Sequence, residues 1–156
     1  YISVTGVQTC ALPISVEALK KAIEVAELMA GVEITNAKCG IAGAHIKGFN
    51  SAGVVAIKNK EVGTQDVERA IDAAKAIAIP TDREVLHVIP QEFTINDHDG
   101  VKDPIGMSGV RLESKVHIVT GDVASAQNII KCVNQAGINV SDIVLESLAS
   151  SEAVLT

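Results

Sequence analysis

The chain has 156 residues, a length that suits one compact domain able to bury roughly 70% of its unfolded surface. Thirteen basic and nineteen acidic residues give a net charge of -6, and Lys20/Lys21, Lys58/Lys60, Arg111 and Lys115 lie scattered among carboxylates, which argues against nucleic acid as a partner. The only aromatics are Tyr1, Phe49 and Phe93, so Ile, Val, Leu and Ala must fill the interior, which favours α/β layers, and no apolar run approaches the ~18 residues of a membrane-spanning helix.

The opening stretch YISVTGVQTCALPI, residues 1–14, is uncharged and lacks both the basic start and the clean apolar run of a signal peptide. It resembles a translated sequencing-adapter read, so it is expected to be foreign to the protein and is set aside from the fold. From Ser15 the pattern turns helical. Val16, Leu19, Ile23, Ala26 and Ala30 recur at steps of three and four, with Ser15 placed to cap the start and Gly31 to end it. Ala37 to Ala42 then reads as a short buried strand, with Gly40, Ala42, Gly43 and Ala44 permitting close packing or a turn.

Between Gly53 and Thr120 the expected order is strand (Val54 to Ile57), helix (Asp66 to Ala78), strand (Val85 to Ile95) and strand (Val110 to Thr120), with the last two antiparallel. Thr64 is placed to cap the helix, Asp66 and Glu68 suit its positive end, Val67, Ala70, Ile71, Ala74 and Ile77 form its stripe, and Pro80 bars continuation. In the last strand Val110, Leu112, Val116 and Ile118 alternate with Arg111, Glu113, Lys115 and His117, predicting one core face and one polar face. A third helix follows over Ala124 to Ala136, with Ile129, Ile130 and Val133 buried and Gly137 ending it. Val140 to Leu145 reads as a buried strand, and another helix is expected to begin near Ala149.

No constellation in the chain reads as catalytic. Gly106-Met107-Ser108-Gly109 places Val110 where a nucleophile elbow requires glycine, and neither it nor Gly40-Ile41-Ala42-Gly43 is dense enough in glycine to cradle phosphate. Asp97-His98-Asp99-Gly100 offers three metal ligands, but adjacent side chains on a turn diverge, so it reads first as a solvated turn. His87 and His117 lie on strands expected to pair, yet strand histidines usually serve structure. Cys10, Cys39 and Cys132 are odd in number and outside any CxxC spacing, which reads as reduced thiols in a cytoplasm, with Cys39 and Cys132 as small core residues.

Interaction is therefore the expected function. A short sheet exposes edge strands whose unpaired donors and acceptors take up a partner, and Val54 to Ile57 is the best edge candidate, its apolar run on both faces reading either as burial against the helix or as an exposed contact patch. The residues singled out for self-association or partner contact are Val54, Val55, Ile57 and Arg111, the last as an outward charge able to reach across a subunit boundary or to pair with Glu113.

Several motifs in fixed order carry a resemblance over about Ser15 to Thr156: AELMAG at Ala26 to Gly31, AGAHI at Ala42 to Ile46, VIPQEF at Val88 to Phe93, PIGMSGVRLE at Pro104 to Glu113 and LASSEAVLT at Leu148 to Thr156. In these the chain resembles the FtsA family of bacterial actin-like division proteins, with one departure, Glu152, where an aromatic is usual. The resemblance implies a partial actin-like (ribonuclease H-like) subdomain 1A, formed by residues 15–43 and 121–156, interrupted over residues 44–120 by an inserted strand-helix-strand-strand subdomain 1C. It also implies that 1C takes part in self-association and in contacts with other division proteins, and that the parent tethers FtsZ filaments to the inner membrane through parts outside this chain. ATP and Mg2+ would belong to the parent, with no cofactor or catalytic residue in this chain, and the setting would be the bacterial cytoplasm at the division site. The alternatives are a related actin-like protein of the PilM type and, from a different class, a small metal-dependent enzyme using Asp97, His98 and Asp99.

Overall fold

The computed structural model describes residues 12–76 and 79–155 and is a mixed α/β structure. In chain order its elements are α1 (Leu12–Ala30), β1 (Asn36–Ile41), β2 (Lys47–Ala56), α2 (Thr64–Lys75), β3 (Arg83–Ile95), β4 (His98–Val101), β5 (Arg111–Asp122), α3 (Val123–Gln135), β6 (Asn139–Leu145) and α4 (Glu146–Val154). They divide into two compact units, one of Lys47–Thr120 and one of the residues that flank it on both sides.

In the flanking unit β1 and β6 pair in parallel, with a register shift between Ala37 and Lys38. The core joins Ile23 of α1, Val133 of α3 and Ile138, with Leu19, Cys39, Ile129 and Val140 packed against them. Helix α1 starts at Leu12, so Ser15 lies inside the helix and not at its N-cap. Pro13 permits this, because a proline in the first turn removes an N–H that has no helical partner anyway. Of the predicted stripe, Ala30, the last residue of the helix, is exposed. Gly31 takes φ 69 and donates its N–H to the Glu27 carbonyl, and Gly137 takes φ 94 after α3, so both glycines end their helices in the left-handed region that glycine favours.

Helix α3 is capped by Asp122, whose carboxylate accepts from the Ser125 N–H at 2.9 Å. Its buried side includes Ala126, Cys132 and Val133, while Ile129 and Ile130 are half-buried. Helix α4 begins at Glu146, three residues before the expected Ala149, and Glu152 is exposed on it, so a carboxylate there is not buried. The expectations for Tyr1, Cys10, Ile77, Ala78 and Thr156 lie outside the described residues.

The second unit is a four-stranded sheet in the order β2-β5-β3-β4 with α2 packed on β2. Strands β2 and β5 are antiparallel over ten residue pairs, from Lys47↔Thr120 to Ala56↔Arg111. Strands β5 and β3 also run in opposite senses: the Asn96 N–H donates to the Arg111 carbonyl, Lys115 meets Glu92, and Arg83 Nε donates to Thr120 Oγ1 at 3.0 Å. Strand β2 begins at Lys47, seven residues before the expected Val54, and its pairing with β5 holds the Gly- and Ser-containing part that propensity disfavours. Of the stretch Asp97 to Gly100, expected as a turn, only Asp97 lies in one, and His98 to Gly100 belong to β4. Asn96, at φ 54, makes the reversal instead, so the chain pairs back on β3 at Ile95↔His98.

The core of this unit lies between sheet and helix. Ile57, Val62, Ala70, Phe93, Ile95 and Leu112 form one cluster, and Ala74, Val116 and Ile118 a second. Gly53 makes the close contact possible: a Cβ there would lie 2.2 Å from the Ala70 carbonyl oxygen and 2.3 Å from the Ala74 nitrogen. Ser51 hydrogen-bonds the Ala74 carbonyl at 2.8 Å, fixing helix to strand one inward position away. The N-cap of α2 is Gly63, with Thr64 the first helical residue, and the Asp66 carboxylate reaches back to accept the Gly63 N–H at 3.1 Å.

Candidate interaction surface

Directly opposite residues of β2 and β5 share a face, and alternation assigns the sides. Leu112, Ser114, Val116 and Ile118 are fully buried beneath α2, whereas Arg111, Glu113, Lys115 and His117 line the other side. Val110 departs from the expected core series. It precedes β5, its carbonyl accepts from the Ile57 N–H, and its side chain is 62% exposed, because the strand periodicity starts only at Arg111.

The four residues predicted for contact separate on the same principle. Val55, half-buried, packs against the cluster that contains Ile57, and Ile57 itself is 7% exposed, so both face α2 and not the open side of the sheet. This corrects the expectation for those two. An all-apolar run conceals its own alternation, and burial under the helix resolves it. Val54, opposite Glu113, is 48% exposed on the polar face, and Arg111, opposite Ala56, is exposed with its guanidinium donating to Glu113 Oε2 at 3.0 Å. Val54 and Arg111 therefore share one surface, two cross-strand positions apart.

That surface is a polar network the sequence reading did not find. Lys115 Nζ donates to Glu92 Oε1 on β3 at 2.7 Å, and the Glu92 carboxylate raises the Lys115 ammonium above its ordinary range. Thr94 donates to Asp99 of β4 at 2.8 Å. His117 Nδ1 lies 2.7 Å from Asn50 Oδ1 on β2, and its ring occupies the space that a side chain at residue 48 would fill. The one legible signal was the period of two in β3, which puts Glu92 and Thr94 on one side.

The other sequence candidates do not assemble into chemistry. His98 and Asp99 are successive residues of β4 and turn to opposite faces, and among the described residues no three His, Cys, Asp or Glu are placed to hold a metal ion. Ser108 forms a bridge to Glu61, and Gly106, at φ 82, belongs to a turn. Burial pushes both the Cys39 and Cys132 thiols up, away from the reactive thiolate. The hollow of about 400 Å³ beside the start of α2 mixes Lys58 and Arg69 with Glu61 and Asp66. Its Asp66 carboxylate is already committed to Gly63 and Arg69, which hold it below the usual carboxylate range. No helix among the described residues is long and apolar enough to cross a membrane.

Residues 43–120, which include α2 and all of this sheet but the last two residues of β5, match the family described as the SHS2 domain inserted in FTSA. The chain belongs to the FtsA family. Over 142 residues it is 52% identical to the cell division protein FtsA of Pseudomonas aeruginosa, covering 91% of this chain and 34% of that protein. It is 51% identical over 144 residues to FtsA of Borreliella burgdorferi, with 91% and 35% covered, and 41% identical over 141 residues to FtsA of Escherichia coli K12, with 90% and 34% covered. The chain thus spans about a third of the length of the curated relatives it matches. A chain of the PilM-PilN type IV pilus biogenesis complex superposes with a TM-score of 0.54 over 97% of this chain and 40% of its own, at 11% sequence identity. That likeness is one of fold alone.

Proposed function

We propose that this chain is the part of an FtsA-type division protein that supplies self-association and partner binding. In this reading residues 15–43 and 121–156 belong to subdomain 1A and residues 44–120 are subdomain 1C, while the parent links FtsZ filaments to the inner membrane at the division site and helps assemble the septum. ATP and Mg2+ belong to the parent, bound by residues outside this chain. The reading rests on one observation: identity of 41–52% to division proteins extends over about nine-tenths of the chain, so it covers the insert and both flanks. The open polar face with Val54 and Arg111 is the part of the insert best suited to contact, since its charges sit in half-exposed pairs that a partner can re-pair.

The test is a chimera in which residues 15–155 replace the matching segment of Pseudomonas aeruginosa FtsA in cells depleted of their own copy. Division at normal cell length is expected. Arg111→Asp in the chimera should lengthen the cells while leaving protein levels unchanged. Filamentous cells that accumulate the parent chimera at the normal level would overturn the reading.

A further inference from the structure

The sheet order β2-β5-β3-β4 leaves two edges, and they are built differently. The β4 edge has four residues, carries His98 and Asp99, and its pairing with β3 slips between Phe93 and Ile95. Short length, charge and irregular pairing are the devices that keep an edge from recruiting another strand. The β2 edge has none of them beyond its first residue, Lys47. It runs for ten residues, pairs with β5 position by position, and contains no charge and no proline from Gly48 to Ala56.

We propose that β2 is a docking edge for β2 of a second copy of this chain, the two strands antiparallel about a two-fold axis. This deepens the self-association part of the reading above and rests on it only to that extent. In an antiparallel strand about half of the residues turn both N–H and C=O away from the existing neighbour, so about five residues of β2 present paired donors and acceptors outward. Arg69 Nη2 holds the Ala56 carbonyl at 3.2 Å and closes the strand's end, leaving the stretch before it for pairing.

The second copy fits better than a foreign strand. A foreign peptide is selected through pockets for its alternate side chains, and β2 offers small ones: Ala52 and Ala56 flank Val54 on the polar face, and Ser51 and Gly53 lie on the helix side. The same small residues let β2 lie flat against itself. Lys47 is the strand's single charge and stands at one end. Antiparallel pairing therefore separates the two ammonium groups by up to about 30 Å, whereas parallel pairing would set them side by side. One strand from each copy makes a small interface, so the dimer is weak and concentration-dependent.

The experiment is sedimentation equilibrium of the whole chain over a wide concentration range, with amide hydrogen exchange on the same samples. Dimerisation that changes little with salt, together with slower exchange in Lys47–Ala56 as concentration rises, is expected. Val54→Lys and, separately, Asn50→Lys should each weaken the dimer at least tenfold, and His98→Lys on the other edge should leave it unchanged. Full antiparallel overlap of Gly48–Ala56 sets Val54 opposite Asn50 of the second copy, so mixing Val54→Lys with Asn50→Glu should restore a salt-sensitive heterodimer. A chain that is monomeric throughout, a dimer that survives both lysine variants while they remain folded, or a mixture that fails to associate would each overturn the proposal. A monomer in a chimera that still divides would sink this edge and leave the division reading standing. A dimer in a chimera that cannot divide would do the reverse.

Discussion

Replacing Gly53 with alanine should uncouple α2 from the sheet. The added Cβ would sit 2.2 Å from the Ala70 carbonyl oxygen, 2.3 Å from the Ala74 nitrogen and 2.9 Å from the Ala73 carbonyl carbon, all of them helix backbone that no side-chain rotation can move. Ordinary contact begins near 3.4 Å, so the helix must lift by about 1.2 Å at this point. That lift strips contacts from Ala70 and Ala74, both wholly buried, and stretches the 2.8 Å bond from Ser51 to the Ala74 carbonyl. Overpacking of this kind costs roughly 1–3 kcal/mol, against which the smaller entropy of an unfolded alanine returns only about 0.4–1 kcal/mol. Urea unfolding followed by far-UV circular dichroism should show the midpoint fall by about 0.5–1 M for a slope near 2 kcal/mol per M. Gly48→Ala is the matched control. Its obstacle is the Nε2 edge of the His117 ring at 2.4 Å, which can swing aside at the loss of its bond to Asn50, a cost of about 1 kcal/mol. Equal stability of Gly53→Ala and the parent, or a larger loss at Gly48 than at Gly53, would refute the helix-contact argument.

Two further expectations concern the sides of the sheet and the start of α2. Ile57→Ala should cost about 2–5 kcal/mol in the same unfolding assay and Val54→Ala within about 0.5 kcal/mol, and similar losses at both would contradict the inward and outward assignments. The Asp66 carboxyl is held low, first by the Gly63 N–H and then by Arg69, so near its titration the folded chain binds fewer protons than the unfolded one. Its contribution is therefore present above about pH 4 and disappears as pH falls below that value. The stability gap between the parent and Asp66→Asn should close on acidification over that window, and a gap independent of pH would exclude the reach-back bond as its source.

Periodicity and stop signals were local properties, and the sequence carried them far. The stripe of α2, the burial of Ile23 and Val133, the end of α1 at Gly31 and of α3 at Gly137, and the alternation of Leu112 and Val116 with Arg111 and Glu113 all follow from which neighbours share a face and which residue tolerates a positive φ. The family, too, was legible, because its motifs are short runs read directly along the chain. What sequence could not specify were choices made by distant partners. Lys47 to Gly53 has little strand propensity and is strand because β5 pairs with it, and Asp97 to Gly100 looks like a loop until the reversal at Asn96 lays β4 against β3. Which of Val54, Val55 and Ile57 faces outward depended on where α2 settles, and that was decided by the one position, Gly53, where its backbone can touch the strand. The polar face likewise exists only after β2, β5, β3 and β4 come together, since Asn50 with His117 and Glu92 with Lys115 are separated by 67 and 23 residues in the chain. Local periodicity fixes the faces of each element; only the packed sheet determines which face is buried and which edge remains open.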